Sequence, residues 1–177
     1  MSHQMKYTLP PGIDEYFEYY HNYIKQVPDG DYHSLLVGQI AELRSVLGDV
    51  NENDAMKLHS PYTWTLKQVI GHLIDGERIF ADRLHRFASG DFQELPGMDQ
   101  DPYIINHDYL SPTLSALLEE LIHLRQANVL LLRRIKPEAW DHRGVASNHP
   151  VTVRALAYIL VGHINHHLTI VRKRLDQ

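Results

Sequence analysis

Between Val153 and Arg174 the chain reads VRALAYILVGHINHHLTIVRKR, an apolar run of helical spacing into which three histidines are set. Val153, Leu156, Leu160, His163, His167, Ile170 and Arg174 recur at every third or fourth position and so share the helix face that turns to a core. Two histidines therefore stand where leucines belong. Side chains four apart on a helix lie one turn above each other, about 6 Å apart, so His163 and His167 can aim at one point. That is the spacing a chelate needs. His166 points about 100° away from His167 and reads as a boundary residue.

The remaining apolar segments carry the same period. Asp31 is placed to cap a helix with Leu36, Ile40, Leu43 and Leu47 on one face, and Gly48 is its stop. Thr65 and Gln68 form a capping box ahead of a long helix to about residue 89, whose stripe is Leu66, Ile70, Leu73, Glu77, Phe80, Leu84 and Phe87. Ser111 and Pro112 read as the start of a further helix that ends at Pro137. Thr152 caps the last one, and Arg172, Lys173 and Arg174 suit its C-terminus. A shorter tyrosine-rich helix is expected over 13–27, after an extended arm over 1–12. Residues 51–62, 90–110 and 137–150 read as connections, with one turn at PEAW, and no sustained β alternation is present. A connection of about 20 residues is unusual unless it is functional or has structure of its own. The expected architecture is all-α, an up-down four-helix bundle with an additional short N-terminal helix, one domain over 1–177.

With 177 residues the chain can bury roughly two thirds of its unfolded surface, so no metal is needed merely to fold it. It has no cysteine, which excludes disulfides and thiolate ligands and leaves any metal to His, Asp or Glu. The net charge of −5, with basic residues dispersed, argues against nucleic acid. No run approaches the 18 or so apolar residues of a membrane span, and a cytoplasmic protein is expected.

A third histidine, His72, lies in the middle of the helix that begins after Thr65. The bland reading makes all three core or boundary residues with satisfied N–H groups. Against it, the stripe around His163 and His167 has no other polar breach before its end. The candidate site is therefore His72, His163 and His167 holding Zn²⁺, Ni²⁺ or another borderline divalent ion with a position left open. Asp75 and Glu77 are possible orienting carboxylates, although ion pairs on a helix flank are the simpler account. Asp99 and Asp101 read first as turn residues that can reach the mouth of a pocket. Trp64 and Trp140 read as packing anchors, and Tyr16, Tyr19, Tyr20 and Tyr23 as helix packing that can line a pocket or an interface. His85, His123, His142 and His149 read as surface.

The succession YTWTLKQVIGHLIDGERIF, PGMDQDPY and VTVRALAYILVGHINHH resembles the DinB superfamily, and in particular its branch of YfiT-like metal-dependent hydrolases. The likeness runs over nearly the whole chain. It implies a four-helix bundle, often a homodimer, with zinc or nickel on His72, His163 and His167. Many relatives carry Glu directly after the first histidine of the final helix, where this chain has Ile164, so that role is vacant here or taken by Asn165 or another group. The implied activity is hydrolysis of a small molecule by metal-activated water. The rival reading, similar to other branches, is a thiol-dependent transferase or isomerase with a low-molecular-weight thiol as cosubstrate. A third is metal binding without catalysis, which a site closed to solvent favours.

Overall fold

The computed structural model describes residues 9–176, so most of the arm expected over 1–12 lies outside the described residues. Four long helices form the bundle: α2 (Tyr32–Leu47), α4 (Leu66–Ala88), α6 (Leu114–Leu132) and α7 (Val153–Leu175). The caps of three of them are those the sequence names. Asp31 accepts from the Ser34 N–H, Thr65 and Gln68 close a reciprocal box, and Thr152 accepts from the Ala155 N–H. The exception is α6, whose cap is Thr113, two residues beyond the expected serine.

Cross-helix pairs set the directions. Arg44 late in α2 meets Glu119 early in α6, and His72 and Phe80 of α4 meet His167 and His163 of α7, so both pairs are antiparallel. Tyr32 and Glu42 of α2 meet Tyr158 and Arg172 of α7, and Lys67 and Glu77 of α4 meet Leu110 and Asn128, so these pairs are parallel. The bundle thus runs up, down, down, up. After α4 the chain must return along a helix of 23 residues, about 34 Å, before α6 can start. That return is the physical reason for the long segment over 89–113, which contains the seven-residue helix α5 (Gln100–Asn106).

The tyrosine-rich segment is less regular than one helix. It consists of 3-10 turns at Ile13–Glu15 and Glu18–Tyr20 and one α turn, α1 (His21–Ile24). A short helix, α3 (Glu52–Ala55), lies in the expected loop before Tyr62. The expected loop before α7 is a β-hairpin, β1 (Arg143–Ala146) and β2 (His149–Thr152), preceded by a 3-10 turn at Pro137–Asp141. Ser147 and Asn148 make its two-residue turn with φ of 56° and 64°, the left-handed pair that matches strand twist. Strands of four residues, with Pro150 in the second, carry too little alternation to be legible. Leu95 is strapped to the hairpin, its N–H donating to Val145 and its carbonyl accepting from Ser147.

A polar layer crosses the bundle between two apolar cores. One core joins Leu36, Phe80, Leu84, Val129 and the first turns of α7; the other joins Leu43, Ile70, Ile74, Ile122, Ile164 and Leu168. At the level between them each helix presents a buried polar side chain: Gln39, Glu77, Arg125 with Asn128, and His163. Glu77 accepts from Arg125 at 2.5 Å and from Asn128 at 2.7 Å, while Arg125 also donates to Gln39 and to the Leu160 carbonyl. Gln39 in turn donates to the Val161 carbonyl, so the layer grips the middle of α7 just ahead of its histidines.

Candidate metal centre

Antiparallel packing of α4 on α7 brings His72, His163 and His167 together, each offering a ring nitrogen within 4.8 Å of the others. The Nε2 atoms of His72 and His163 are 3.0 Å apart. Nitrogens bound to one tetrahedral zinc at 2.0–2.1 Å stand about 3.3 Å apart, so the His72–His163 pair is already near ligand spacing, while the widest separation, up to 4.8 Å, closes by a small side-chain movement when one ion is held. Around them stand Trp64 beside His72 and Tyr23 and Phe80 beside His163. Burial in this shell pushes the imidazoles down in pKa, His72 to about 4 and His163 and His167 well below the usual histidine value. Their lone pairs are therefore free at neutral pH, which is the state a metal ligand needs. The buried Nδ1 of His72 has no hydrogen-bond partner among the described residues. An all-imidazole donor set of this kind suits zinc, nickel or a similar ion.

Gly76 is what admits the His163 ring. A Cβ at this position would lie 2.7 Å from Cε1 and 2.9 Å from Nδ1 of His163. Gly76→Ala is therefore expected to turn that ring and weaken metal binding by about 10- to 100-fold, the range seen when ligand orientation is disturbed. Competition with a chromophoric chelator measures it, and helical circular dichroism checks that the fold persists despite the added Cβ.

The candidate carboxylates sit elsewhere. Asp75 is buried and accepts from the Tyr109 hydroxyl at 2.7 Å, and Glu77 belongs to the polar layer; only Arg78, paired with Glu120, is the exposed helix-flank ion pair that the simpler account expects. Ile164 is core, and Asn165 accepts from Gln39 and donates to the Gln26 carbonyl, so Asn165 does not take the role of the absent glutamate. His166 is half-buried against Tyr23, as a boundary residue should be. Trp140 stacks on Tyr32 as an anchor. Of the four histidines read as surface, His85 and His123 are exposed, whereas His142 bonds the Phe87 carbonyl and His149 stacks on Phe17.

A cavity of about 280 Å³ opens on His72 and His163. Tyr19, Tyr20 and Tyr23 form one wall, and Arg83, Asp99 and Ser147 are also in its lining. Asp99 does both things its position suggests, capping α5 through the Asp101 N–H and facing the cavity. Arg83 and Ser147 are among the lining residues that sequence reasoning misses, with Met98 and Gln100. The signal for Arg83 was present, since His72, Gly76, Phe80 and Arg83 recur at helical spacing on one face of α4.

Fold and site together define a four-helix bundle with a buried three-histidine cluster opening on a cavity. The chain belongs to the DinB superfamily, whose family model matches residues 35–171. Among solved structures it is similar to YfiT from Bacillus subtilis, a probable metal-dependent hydrolase with an unusual four-helix bundle topology, at 18% identity and a TM-score of 0.69 over 95% of this chain and 94% of that one. It is also similar to a mycothiol-dependent maleylpyruvate isomerase, at 14% identity and a TM-score of 0.66 over 82% of this chain, but it spans only 61% of that protein's length. Sequence comparison with functionally curated proteins gives no match. No helix among the described residues is long and apolar enough to cross a membrane.

Proposed function

We propose that this chain is a metal-dependent hydrolase of small molecules, with His72, His163 and His167 as the ligands of one divalent ion. The observation that carries the reading is the cavity of about 280 Å³ with two of the three histidines in its lining. A histidine cluster that only staples helices has no need of such an opening. Zinc or nickel bound there supplies Lewis acidity toward a water or a carbonyl. The chain's own residues do the rest. Three imidazoles kept neutral by burial hold the site, Gly76 leaves room for the His163 ring, and the tyrosine wall of Tyr19, Tyr20 and Tyr23 narrows the space available to water around a bound substrate. Cytoplasmic location and a homodimer belong to the same proposal, the dimer being measurable by sedimentation.

The thiol-dependent reading is favoured by one specific observation, the structural similarity to the mycothiol-dependent isomerase. A panel of small esters, amides and lactones, assayed with zinc- or nickel-loaded protein in the presence and absence of a low-molecular-weight thiol, separates the two. Turnover without thiol supports hydrolysis, and turnover that requires thiol transfers the reading to group transfer or isomerisation. A loaded protein inert in both arms supports metal binding without catalysis.

A further inference from the structure

Arg83 is a buried cation with no carboxylate. It is 4% exposed, and no ion pair includes it among the described residues. Its Nη2 donates to the Pro96 carbonyl at 2.8 Å and to Ser147 Oγ at 3.1 Å. A guanidinium has five N–H donors, so three remain, on Nε and Nη1. Those nitrogens have no protein acceptor, yet they are not among the sealed, unpartnered atoms of the interior, a group that does include Nε of Arg125 and of Arg174. They therefore reach solvent, and Arg83 is a lining residue of the cavity of the histidine cluster. A buried guanidinium whose remaining donors face a pocket is poised to receive an anion.

We propose that Arg83 is the specificity-determining residue of this cavity and that the substrate carries a carboxylate, which Arg83 binds while the reacting group lies toward the histidines. The inference names the substrate class of the proposed enzyme and rests on that reading for the word substrate, but the anion site itself needs no metal. His72, Gly76, Phe80 and Arg83 succeed one another along one face of α4, so histidines and guanidinium mark the two ends of the space along the helix. The eleven residues from His72 to Arg83 rise about 16 Å, and the long arginine side chain shortens the distance a ligand must bridge. The charges lining the cavity favour one negative charge over two. Arg83 is the only lysine or arginine among the described lining residues, and Asp99, exposed at the same cavity, opposes a more highly charged group such as a phosphate dianion. The tethers to Pro96 and Ser147 hold the guanidinium in place before the anion arrives, so little side-chain freedom is lost on binding.

The test is an NMR titration of the full chain, both metal-free and zinc-loaded, with sodium butyrate, butyramide and inorganic phosphate, following the Arg83 Nε–H signal. Butyrate is expected to shift that signal saturably in the metal-free protein, with butyramide at least about tenfold weaker, because the amide has the shape of the acid without its charge. Arg83→Met is expected to weaken butyrate binding at least about tenfold, and Arg83→Lys to restore part of it. Equal affinity for butyrate and butyramide, or phosphate binding tighter than butyrate, overturns the proposal using the wild-type protein alone, whatever the variants do to the loop around Pro96. Failure to bind zinc with the butyrate response intact overturns the metal reading and leaves the anion site standing. Zinc binding without a butyrate response does the reverse.

Discussion

Replacing Glu77 with alanine is expected to lower the free energy of unfolding by about 3–5 kcal/mol, the cost of leaving a buried charge without its partner. Glu77 and Arg125 have side chains 1% and 0% exposed, and the pair is completed by Asn128 and Gln39. Burial pushes the Glu77 carboxyl up in pKa, and Arg125 and Asn128 pull it back. The alanine variant strips the Arg125 guanidinium, itself fully buried, of its carboxylate. For a protein at the low end of the usual range, about 5 kcal/mol, this is enough to unfold a large part of the population near body temperature. Urea denaturation measures the loss, and Arg78→Ala supplies the contrast. That residue makes an ion pair of similar length, but both partners are about half exposed, and its removal is expected to cost less than about 1 kcal/mol. The double replacement Glu77→Leu with Arg125→Met is expected to recover most of the stability, since a buried ion pair is of little net advantage over apolar groups of similar volume.

The second large effect is acid sensitivity of the metal-free protein. His72 has its pKa pushed from the ordinary 6.5 to about 4 by burial, with His166 adding a smaller effect. Between these values the unfolded chain binds a proton at residue 72 that the folded chain does not, so stability is retained above pH 6.5 and falls as pH drops towards 4. Each pH unit in that window is worth up to about 1.4 kcal/mol, which makes His72 alone responsible for about 3 kcal/mol. His163 and His167 shift in the same direction, His163 through burial and the neighbouring His167, His72, Arg125 and His166. Asp75 and Glu77, raised by burial, act in the opposite sense, so the comparison is the wild type against His72→Phe in chelator-treated samples. The stability difference between the two proteins should change by about 2–3 kcal/mol from pH 7.5 to pH 4. A difference that does not change with pH would mean that residue 72 is protonated or solvated in the folded state.

Much of the fold was legible because its signals are local. The caps at Asp31, Thr65 and Thr152 and the helical spacing of α2, α4 and α7 are properties of short windows, and each is found where the residues place it. The convergence of His72 with His163 and His167 was also foreseeable, since polar residues on apolar stripes of two helices must meet if the stripes pack. What was not legible depends on contacts between distant segments. The parallel pairing of α4 with α6 is decided by how the chain returns through 89–113, and the hairpin at 143–152 is held by Leu95 and by a Ser147–Asn148 turn without glycine. The spacing of Glu77 places it on the core-facing stripe, but nothing near it in sequence announces Arg125, which is 48 residues away. Arg83 escaped for a different reason. Its spacing from His72 places it on the cavity face, yet an arginine in an amphipathic helix has the simpler explanation of a solvated charge.

In the proposed enzyme, three neutral histidines from two helices hold one divalent ion. The most direct measurement is elemental metal analysis of untagged protein, before and after incubation with zinc or nickel, for wild type, His72→Ala and the double variant His163→Ala with His167→Ala. About one ion per wild-type chain is expected, lost in each variant while the helical circular dichroism persists. Wild type that takes up no ion, or variants that retain a full equivalent, would contradict it and return the three histidines to the core.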